Sequence, residues 1–573
     1  MKARIARRST ESLAGLPAGL HPVLRRVYAA RRVRGPADLE HSLERLHPLT
    51  GLTGIASAAA LLSEAVEQDR RILLVGDFDA DGATSCALAV LALRALGARQ
   101  VHYLVPNRFE FGYGLTAEIV AVAADWHPDL IVTVDNGIAS LEGVAAAHAR
   151  GIQVLVTDHH LPGATLPAAD AIVNPNLPGD PFPSKHLAGV GVIFYVLSAA
   201  RAHLRAAGWF ARRGIGEPKL AQFLDLVALG TVADVVPLDA NNRILVQQGL
   251  LRIRSGQCRP GIAALLAVAK RGQSRVVAAD LAFGVGPRLN AAGRLEDMSL
   301  GIECLITDDL DAAREMAQRL DELNHARRAI EAQMQTQALE VLEGLGLQDD
   351  DPALPMGLCL YDARWHPGVI GILAARIRER FHRPVIAFAP DGAGLKGSAR
   401  SIPGLHIRDA LDAVASRNPG LLSRFGGHAM AAGLSLALDR LEDFRTAFDD
   451  QVRRCLGPED LEGICYTDGE LAPAELHLET AQLLRDGGPW GAGFPEPCFD
   501  GEFQVLAQRV VGERHLKLTL RPAGGRQSID GIAFQTPAPP VPWERVRIAY
   551  RLDVNEYQGV TSPQLLVEFI EPL

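Results

Sequence analysis

From about residue 70 the chain alternates short, nearly unbroken apolar runs with longer stretches rich in Ala and Leu. The runs cover residues 72–75, 101–105, 130–134, 154–156 and 171–173. They are β-rich and apolar at consecutive positions, which predicts strands covered on both faces. The stretches between them, 83–96, 116–124 and 140–150, predict helices. Strand–helix alternation of this kind implies a parallel sheet. Further on, residues 220–229 predict a helix and residues 284–293 a glycine-rich loop. From Asp308 to Glu343 apolar residues recur at three-to-four spacing (Leu310, Ala313, Met316, Leu320, Leu323, Ile330, Met334, Leu342) with no Pro or Gly between them. The outer positions are charged, as in one long helix bridging two domains. Gly344 and residues 352–355 mark its end.

A second α/β segment follows, with strands at 358–361 and 384–389 around a helix at 369–381. Two further glycine-rich loops are expected at 394–400 and 425–433. Toward the C-terminus, short alternating runs (516–520, 547–552, 565–569) separated by turn residues predict a small all-β barrel or sandwich. The fold class is thus α/β: a parallel-sheet domain, a long helix, a smaller α/β domain and a C-terminal all-β unit. The corresponding boundaries are 1–49 for a basic helical segment, 50–300, 301–350, 351–455 and 456–573.

Composition narrows the setting. The chain has 573 residues, 48% hydrophobic and 22% charged, as in an ordinary globular protein. No apolar stretch reaches membrane-spanning length, and polar residues follow the basic N-terminus, so neither a membrane partner nor a secretory signal is expected. The seven cysteines are odd in number and form no Cys-x-x-Cys pair. That argues against a disulfide framework or zinc ribbon and fits the reducing cytoplasm. A net charge of −9 does not advertise nucleic-acid binding, although residues 1–34 concentrate nine Lys and Arg against the single acid Glu11. Their simplest reading is a solvated helical face.

The chemistry sits at strand ends. The run 72–75 leads into Gly76-Asp77-Phe78-Asp79-Ala80-Asp81-Gly82, the run 130–134 into Asp135-Asn136-Gly137, and the run 154–156 into Thr157-Asp158-His159-His160. The carboxyl edge of an open parallel sheet is where ligands bind, so these residues should converge. Crowded carboxylates need a counter-charge. A carboxylate–imidazole set without thiolate suits Mn²⁺ or Mg²⁺, and also Zn²⁺ or Fe²⁺. More than four carboxylates suggests two ions, able to activate water and hydrolyse a phosphoester. Each motif has a plainer reading. Asp-x-Asp-x-Asp-Gly could be a calcium loop, but Leu88 stands where an EF-hand needs its closing Glu. Asp135 could be a helix N-cap. Asp-His-His could be a solvated turn. Three such motifs at successive strand ends favour a metal site.

These motifs resemble the DHH phosphoesterase superfamily and, more fully, the RecJ family of single-strand-specific exonucleases. The resemblance extends through Pro106-Asn107-Arg108, Asn174-Pro175, Gly230-Thr231-Val232-Ala233-Asp234 and Gly286-Pro287-Arg288-Leu289-Asn290-Ala291-Ala292-Gly293-Arg294. It continues with His366-Pro367-Gly368, Lys396-Gly397-Ser398-Ala399-Arg400 and Phe425-Gly426-Gly427-His428, which look like the DHH-associated domain. It implies Asp79, Asp81, Asp135, His159 and Asp234 as ligands of two divalent ions, Mn²⁺ first and Mg²⁺ as the alternative, with Asp135 bridging. Asp77 is a further ligand or a residue that supports one, and Asp158 orients a histidine. His160 faces the scissile phosphate, so that Asp135, His160 and Arg288 carry the catalysis. Without the resemblance, Asp234 reads as an N-cap or salt-bridge partner.

Arginine suits phosphate recognition. Arg108 follows the strand at 101–105, and Arg288 lies in the expected glycine-rich loop. Lys396, Ser398, Arg400, Gly426, Gly427 and His428 would grip the strand from the second domain. The C-terminal unit resembles an oligonucleotide-binding barrel, for which Trp490, Phe494, Arg514, His515, Lys517, Arg521 and Tyr557 supply aromatic and basic groups. Core packing is the plainer role for Trp490 and Phe494. Phe494 also stands where the family usually has Asn. The implied function is a 5′-to-3′ exonuclease specific for single-stranded DNA, releasing 5′-mononucleotides in DNA repair and recombination. Single-strand-binding protein and a helicase are the expected partners. The alternatives are a DHH phosphodiesterase acting on short oligonucleotides or small nucleotides, and a non-catalytic replication scaffold.

Overall fold

An N-terminal strand, β1 (Ala3–Arg7), and a first helix, α1 (Pro22–Ala29), open the chain. The computed structural model describes residues 3–10, 13, 15–106, 114–344, 354–392, 394–512, 515–557 and 559–573. The first lobe then lays down β2 (Ile72–Gly76), α2 (Ala80–Leu96), β3 (Val101–Leu104), β4 (Leu130–Val134), β5 (Gln153–Thr157) and β6 (Ala171–Val173). The five strands β2–β6 make a wholly parallel sheet in the order β3-β2-β4-β5-β6. β2 and β4 are buried at every position, which explains their unbroken apolar runs.

Helices α3 (Gly189–Ala206), α4 (Leu224–Ala233) and α5 (Gly286–Leu295) complete this lobe. Residues 284–293, expected as a glycine-rich loop, are helical instead: a π-helical turn, Asp280–Val285, runs directly into α5. The glycines there serve close packing, since a Cβ on Gly293 would meet the Phe78 carbonyl oxygen at 1.8 Å.

Helix α6 (Leu310–Gly344) is a continuous 35-residue rod. Ala313, Ala317, Leu320 and Leu323 join the core of the first lobe, and Met334 and Ala338 join a second core around Trp365 and Ile370. Between these two stretches Arg327 donates to Glu331 at 2.9 Å, and Arg376 of the second lobe reaches the same Glu331 at 3.0 Å.

The second lobe contains β7 (Leu358–Tyr361), α7 (Ile370–Phe381), β8 (Val385–Asp391), β9 (Gly394–Arg400), β10 (Arg424–Gly427), β11 (Ala431–Ala437) and α8 (Leu441–Cys455). Its sheet runs β10-β11-β9-β8-β7, and only β7 and β8 are parallel. Residues 394–400 and 425–433, expected as loops, supply strands here. Part of their inward face is small because neighbours fill the space: a Cβ on Gly397 would lie 2.5 Å from the Phe388 ring. Gly397, Ala399 and Ala432 share that face with Leu395, Leu434 and Leu436, so small residues dilute the period-2 signal.

Strand β12 (Gly463–Thr467) pairs in parallel with β1. A closed five-stranded barrel follows: β13 (Phe499–Val511), β14 (His515–Pro522), β15 (Ile529–Ala533), β16 (Arg545–Tyr557) and β17 (Val560–Pro572) in the order β13-β14-β15-β17-β16. The expected all-β C-terminal unit is thus a barrel.

The N-terminal segment differs from its expectation. It is not simply helical, and three of its arginines are engaged with acids. Arg7 grips the buried Asp500 at 2.8 Å, Arg31 reaches Asp468 at 2.9 Å, and Arg8 lies 3.5 Å from Asp468. Trp490 and Phe494 are buried, stacked on each other at 5.1 Å beneath Tyr28, so they offer no face to a nucleic-acid base. Arg514 and the Tyr557 side chain lie outside the described residues. No single helix among the described residues is long and apolar enough to cross a membrane.

Candidate active site

The carboxyl edge of the first sheet collects the acids and imidazoles expected there. Asp77 leaves β2, and its carboxylate accepts from the next backbone N–H, that of Phe78, at 2.6 Å. Asp79 caps α2, accepting from the N–H groups of Asp81 and Gly82 at 3.0 Å each. Asp81 is buried in the first turn of α2 and faces the start of α3, whose Gly189 and Val190 N–H groups donate to it at 2.6 and 2.9 Å. A helix N-terminus suits a carboxylate there. Asp135 leaves β4 with a positive φ of 63°. The following helix begins only at Leu141, so Asp135 is not an N-cap.

Asp158, His159 and His160 leave β5. Asp158 Oδ1 accepts from the His159 and His160 N–H groups at 2.7 and 3.0 Å and is 2.8 Å from His160 Nδ1. Its Oδ2 accepts from Ile138 N–H at 2.9 Å. The histidine it orients is therefore His160. His159 turns its Nε2 to the acids: 3.1 Å from Asp135, 3.5 Å from Asp234 and 3.9 Å from Asp81. Asp234 terminates α4, at the opposite helix end from the N-cap its sequence suggested.

Electrostatics show what this cluster suits. Burial and mutual repulsion push the carboxyls of Asp77, Asp135 and Asp234 well above the ordinary carboxylate range. Burial, with Asp79 beside it, pushes Asp81 up to about 7. Burial pushes His159 down to about 4, leaving its imidazole neutral. Burial also works against charge on His160, but the Asp158 hydrogen bond and charge outweigh it and lift His160 to about 9. His159 Nε2 is buried and makes no hydrogen bond among the described residues. A neutral imidazole lone pair facing several like-charged oxygens is a fitting donor set for divalent cations. Three ligand groups have atoms within 4.8 Å of one another: Asp77, Asp79 and Asp135; Asp81, His159 and Asp234; Asp135, His159 and His160. Asp135 belongs to two of them.

A cleft of about 350 Å³ opens from this edge toward the second lobe. Phe78, Asp79, Asn290 and Arg294 line one wall; Lys396, Ser398, Arg400 and Gly427 line the other. Arg400 donates to Ser398 Oγ at 3.1 Å and has no ion-pair partner among the described residues. Gly426 and His428 lie on the adjoining β10 hairpin, and the His428 ring stands 6.3 Å from that of His160 across the cleft. Arg288 is buried in α5, paired with Asp321 of α6 at 2.7 Å and donating to the Gly284 carbonyl. That arrangement ties α5 to α6. Arg108 lies outside the described residues.

Several supporting residues were not singled out from the sequence. Asn174 and Asn176 donate to the carbonyls of His160 and His159 at 2.9 and 2.6 Å. Asn136 donates to the carbonyls of Val75 and Val134, tying together the ends of β2 and β4. Asn290 accepts from Ala80 N–H at 2.7 Å. Asn174 sits in a quoted Asn-Pro turn, but the Gly189 N–H that holds Asp81 carries no sequence signal.

Comparison with known proteins agrees with this geometry. Residues 71–231 match the DHH family N-terminal domain, residues 355–454 the DHHA1 domain, and residues 467–568 the RecJ OB domain. The chain is 59% identical over 562 residues to the single-stranded-DNA-specific exonuclease RecJ of Dickeya dadantii, covering 97% of each chain. It is 55% identical to the protein of that name from Escherichia coli, covering 100% of this chain and 99% of the other. Among solved structures it resembles RecJ of Thermus thermophilus in complex with Mn²⁺, with a TM-score of 0.79 and 31% identity over 97% of this chain and 76% of that one.

Proposed function

The chain belongs to the RecJ family of single-stranded-DNA-specific exonucleases, and on that premise we propose that Asp77, Asp79, Asp81, Asp135, His159 and Asp234 hold two divalent ions, Mn²⁺ in preference to Mg²⁺, at the site of phosphodiester hydrolysis. The enzyme is a divalent-metal-dependent exonuclease that degrades single-stranded DNA. The observation that carries the site assignment is the pair of ligand groups, Asp77–Asp79–Asp135 and Asp81–His159–Asp234, joined through the 3.1 Å approach of Asp135 to His159. When bound, such ions polarise a water and neutralise charge on the scissile phosphate.

The remaining residues orient the strand. His160, held by Asp158, directs its ring into the cleft and donates a proton or hydrogen bond to the phosphate or the departing oxygen. Arg400, Ser398, Lys396 and the Gly427 backbone receive phosphate from the opposite wall. Helix α6 fixes the spacing of the two lobes, and that spacing admits one strand and excludes a duplex. Release of 5′-mononucleotides in the 5′-to-3′ direction extends the same reading. So does action in the cytoplasm beside single-strand-binding protein and a helicase.

The test compares end-labelled single strands, blunt duplexes and 5′-overhang duplexes with Mn²⁺, Mg²⁺ or chelator. Degradation of single strands and overhangs, sparing of blunt duplex and arrest by chelator are expected. Equal rates on all three substrates would overturn the cleft-width argument.

A further inference from the structure

The loop after Asp234 is built unlike the rest of the site. Val235 is in the left-handed region at φ 60°, where a β-branched side chain is strained, and it is largely solvent-exposed. Such a conformation persists only if its surroundings hold it. What holds it comes from the linker to the barrel. Leu238 N–H donates to the Ala492 carbonyl at 2.7 Å. A Cβ on Gly493 would lie 3.1 Å from Pro237, and one on Gly491 would lie 2.7 Å from Leu238, so the turn 491–494 presses directly on residues 237–238. Arg243 fastens the two together: it donates to the Leu238 carbonyl at 2.9 Å while its guanidinium lies 4.3 Å over the Phe494 ring. Phe494 is itself stacked on Trp490.

We propose that Phe494 and Arg243 are positioning residues for Asp234, clamping the strained Val235 turn so that the Asp234 carboxylate stays on the cluster around His159. This rests on Asp234 being a metal ligand. It gives Phe494 a stacking role beneath the Arg243 guanidinium. It also makes the barrel linker part of the metal site without any contact to substrate.

The test is Mn²⁺ binding to the full-length, chelator-dialysed chain by calorimetry, for wild type, Phe494→Leu, Val235→Gly and the double variant. Phe494→Leu keeps an apolar side chain there, and its fold is checked by circular dichroism. The expected result is Mn²⁺ affinity weakened five- to tenfold in Phe494→Leu with KM for single strands within twofold of wild type. Val235→Gly removes the strain, so the double variant should recover most of the lost affinity. Wild-type Mn²⁺ affinity in folded Phe494→Leu would overturn the proposal, as would no recovery in the double variant. If wild type itself binds no Mn²⁺, the metal-site reading fails instead.

Discussion

Gly189 begins α3 with its N–H on Asp81 and its open side against Asp135. A Cβ added there would lie 2.5 Å from Asp135 Cβ and 2.6 Å from Oδ1, whereas ordinary contact begins near 3.4 Å. Gly189→Ala must therefore displace Asp135, or the start of α3, by about 1 Å. A misplacement of about 1 Å in a reacting constellation costs on the order of 10²-fold in rate. Overpacking costs about 1–3 kcal/mol, partly offset by the better helix propensity of Ala, about 1 kcal/mol. The fold should thus survive while kcat on a labelled single strand falls about a hundredfold. Gly191→Ala is the internal control. Its Cβ would meet only the flexible end of Leu187, at 3.1 Å. It gains the same propensity and should keep activity within about twofold, because the added methyl meets the Leu187 side chain rather than Asp135. Full activity in Gly189→Ala, or an equal loss in Gly191→Ala, would refute the reasoning.

Two further outcomes follow from single contacts. Arg400→Ala should raise KM for single strands about 10- to 100-fold with a smaller effect on kcat, because a charge-assisted hydrogen bond to phosphate is worth about 1.5–3 kcal/mol; an unchanged KM in steady-state assays would exclude Arg400 from the phosphate contact. Burial works to raise the Asp500 carboxyl, but hydrogen bonds from Arg7 and Thr467 outweigh it and hold it below the ordinary range. Its stabilising contribution is therefore present above about pH 4 and lost as pH falls through the depressed folded value. Arg7→Ala should lower Tm at pH 7, and calorimetry below pH 4 should show the gap to wild type closing; a gap that widens with acid would contradict this.

How much of this was legible in the sequence depended on where each signal resides. The first sheet was readable because its central strands β2 and β4 are covered on both faces and their apolar runs are continuous. The strand-end acids followed from the same pattern, since parallel strands deliver their carboxyl ends to one edge. Strands β9–β11 were hidden because small residues such as Gly397, Ala399 and Ala432 interrupt their inward-facing leucines, Leu395, Leu434 and Leu436. The helix α5 was hidden by glycines that serve close packing, Gly293 against Phe78 and Gly286 against Ala233. Asp234 ends a helix, so no strand-edge argument could reach it; tertiary packing alone brings it to His159. Pairings distant in sequence were equally invisible. Arg288 pairs with Asp321 on α6, and the N-terminal Arg7 and Arg31 find their acids on β13 and the linker before it.

The central claim is that one acid–imidazole cluster holds the ions at which single-stranded DNA is cut. The most direct measurement counts Mn²⁺ bound per chain, by electron paramagnetic resonance, in wild type and in folded Asp135→Asn, alongside hydrolysis of a labelled single strand. The account predicts two ions in wild type. In Asp135→Asn it predicts loss of both from the micromolar range, with hydrolysis down by on the order of 10³-fold or more, because Asp135 belongs to one ligand group and lies 3.1 Å from His159 of the other. An Asp135→Asn chain that binds Mn²⁺ and cuts DNA as wild type does would contradict it.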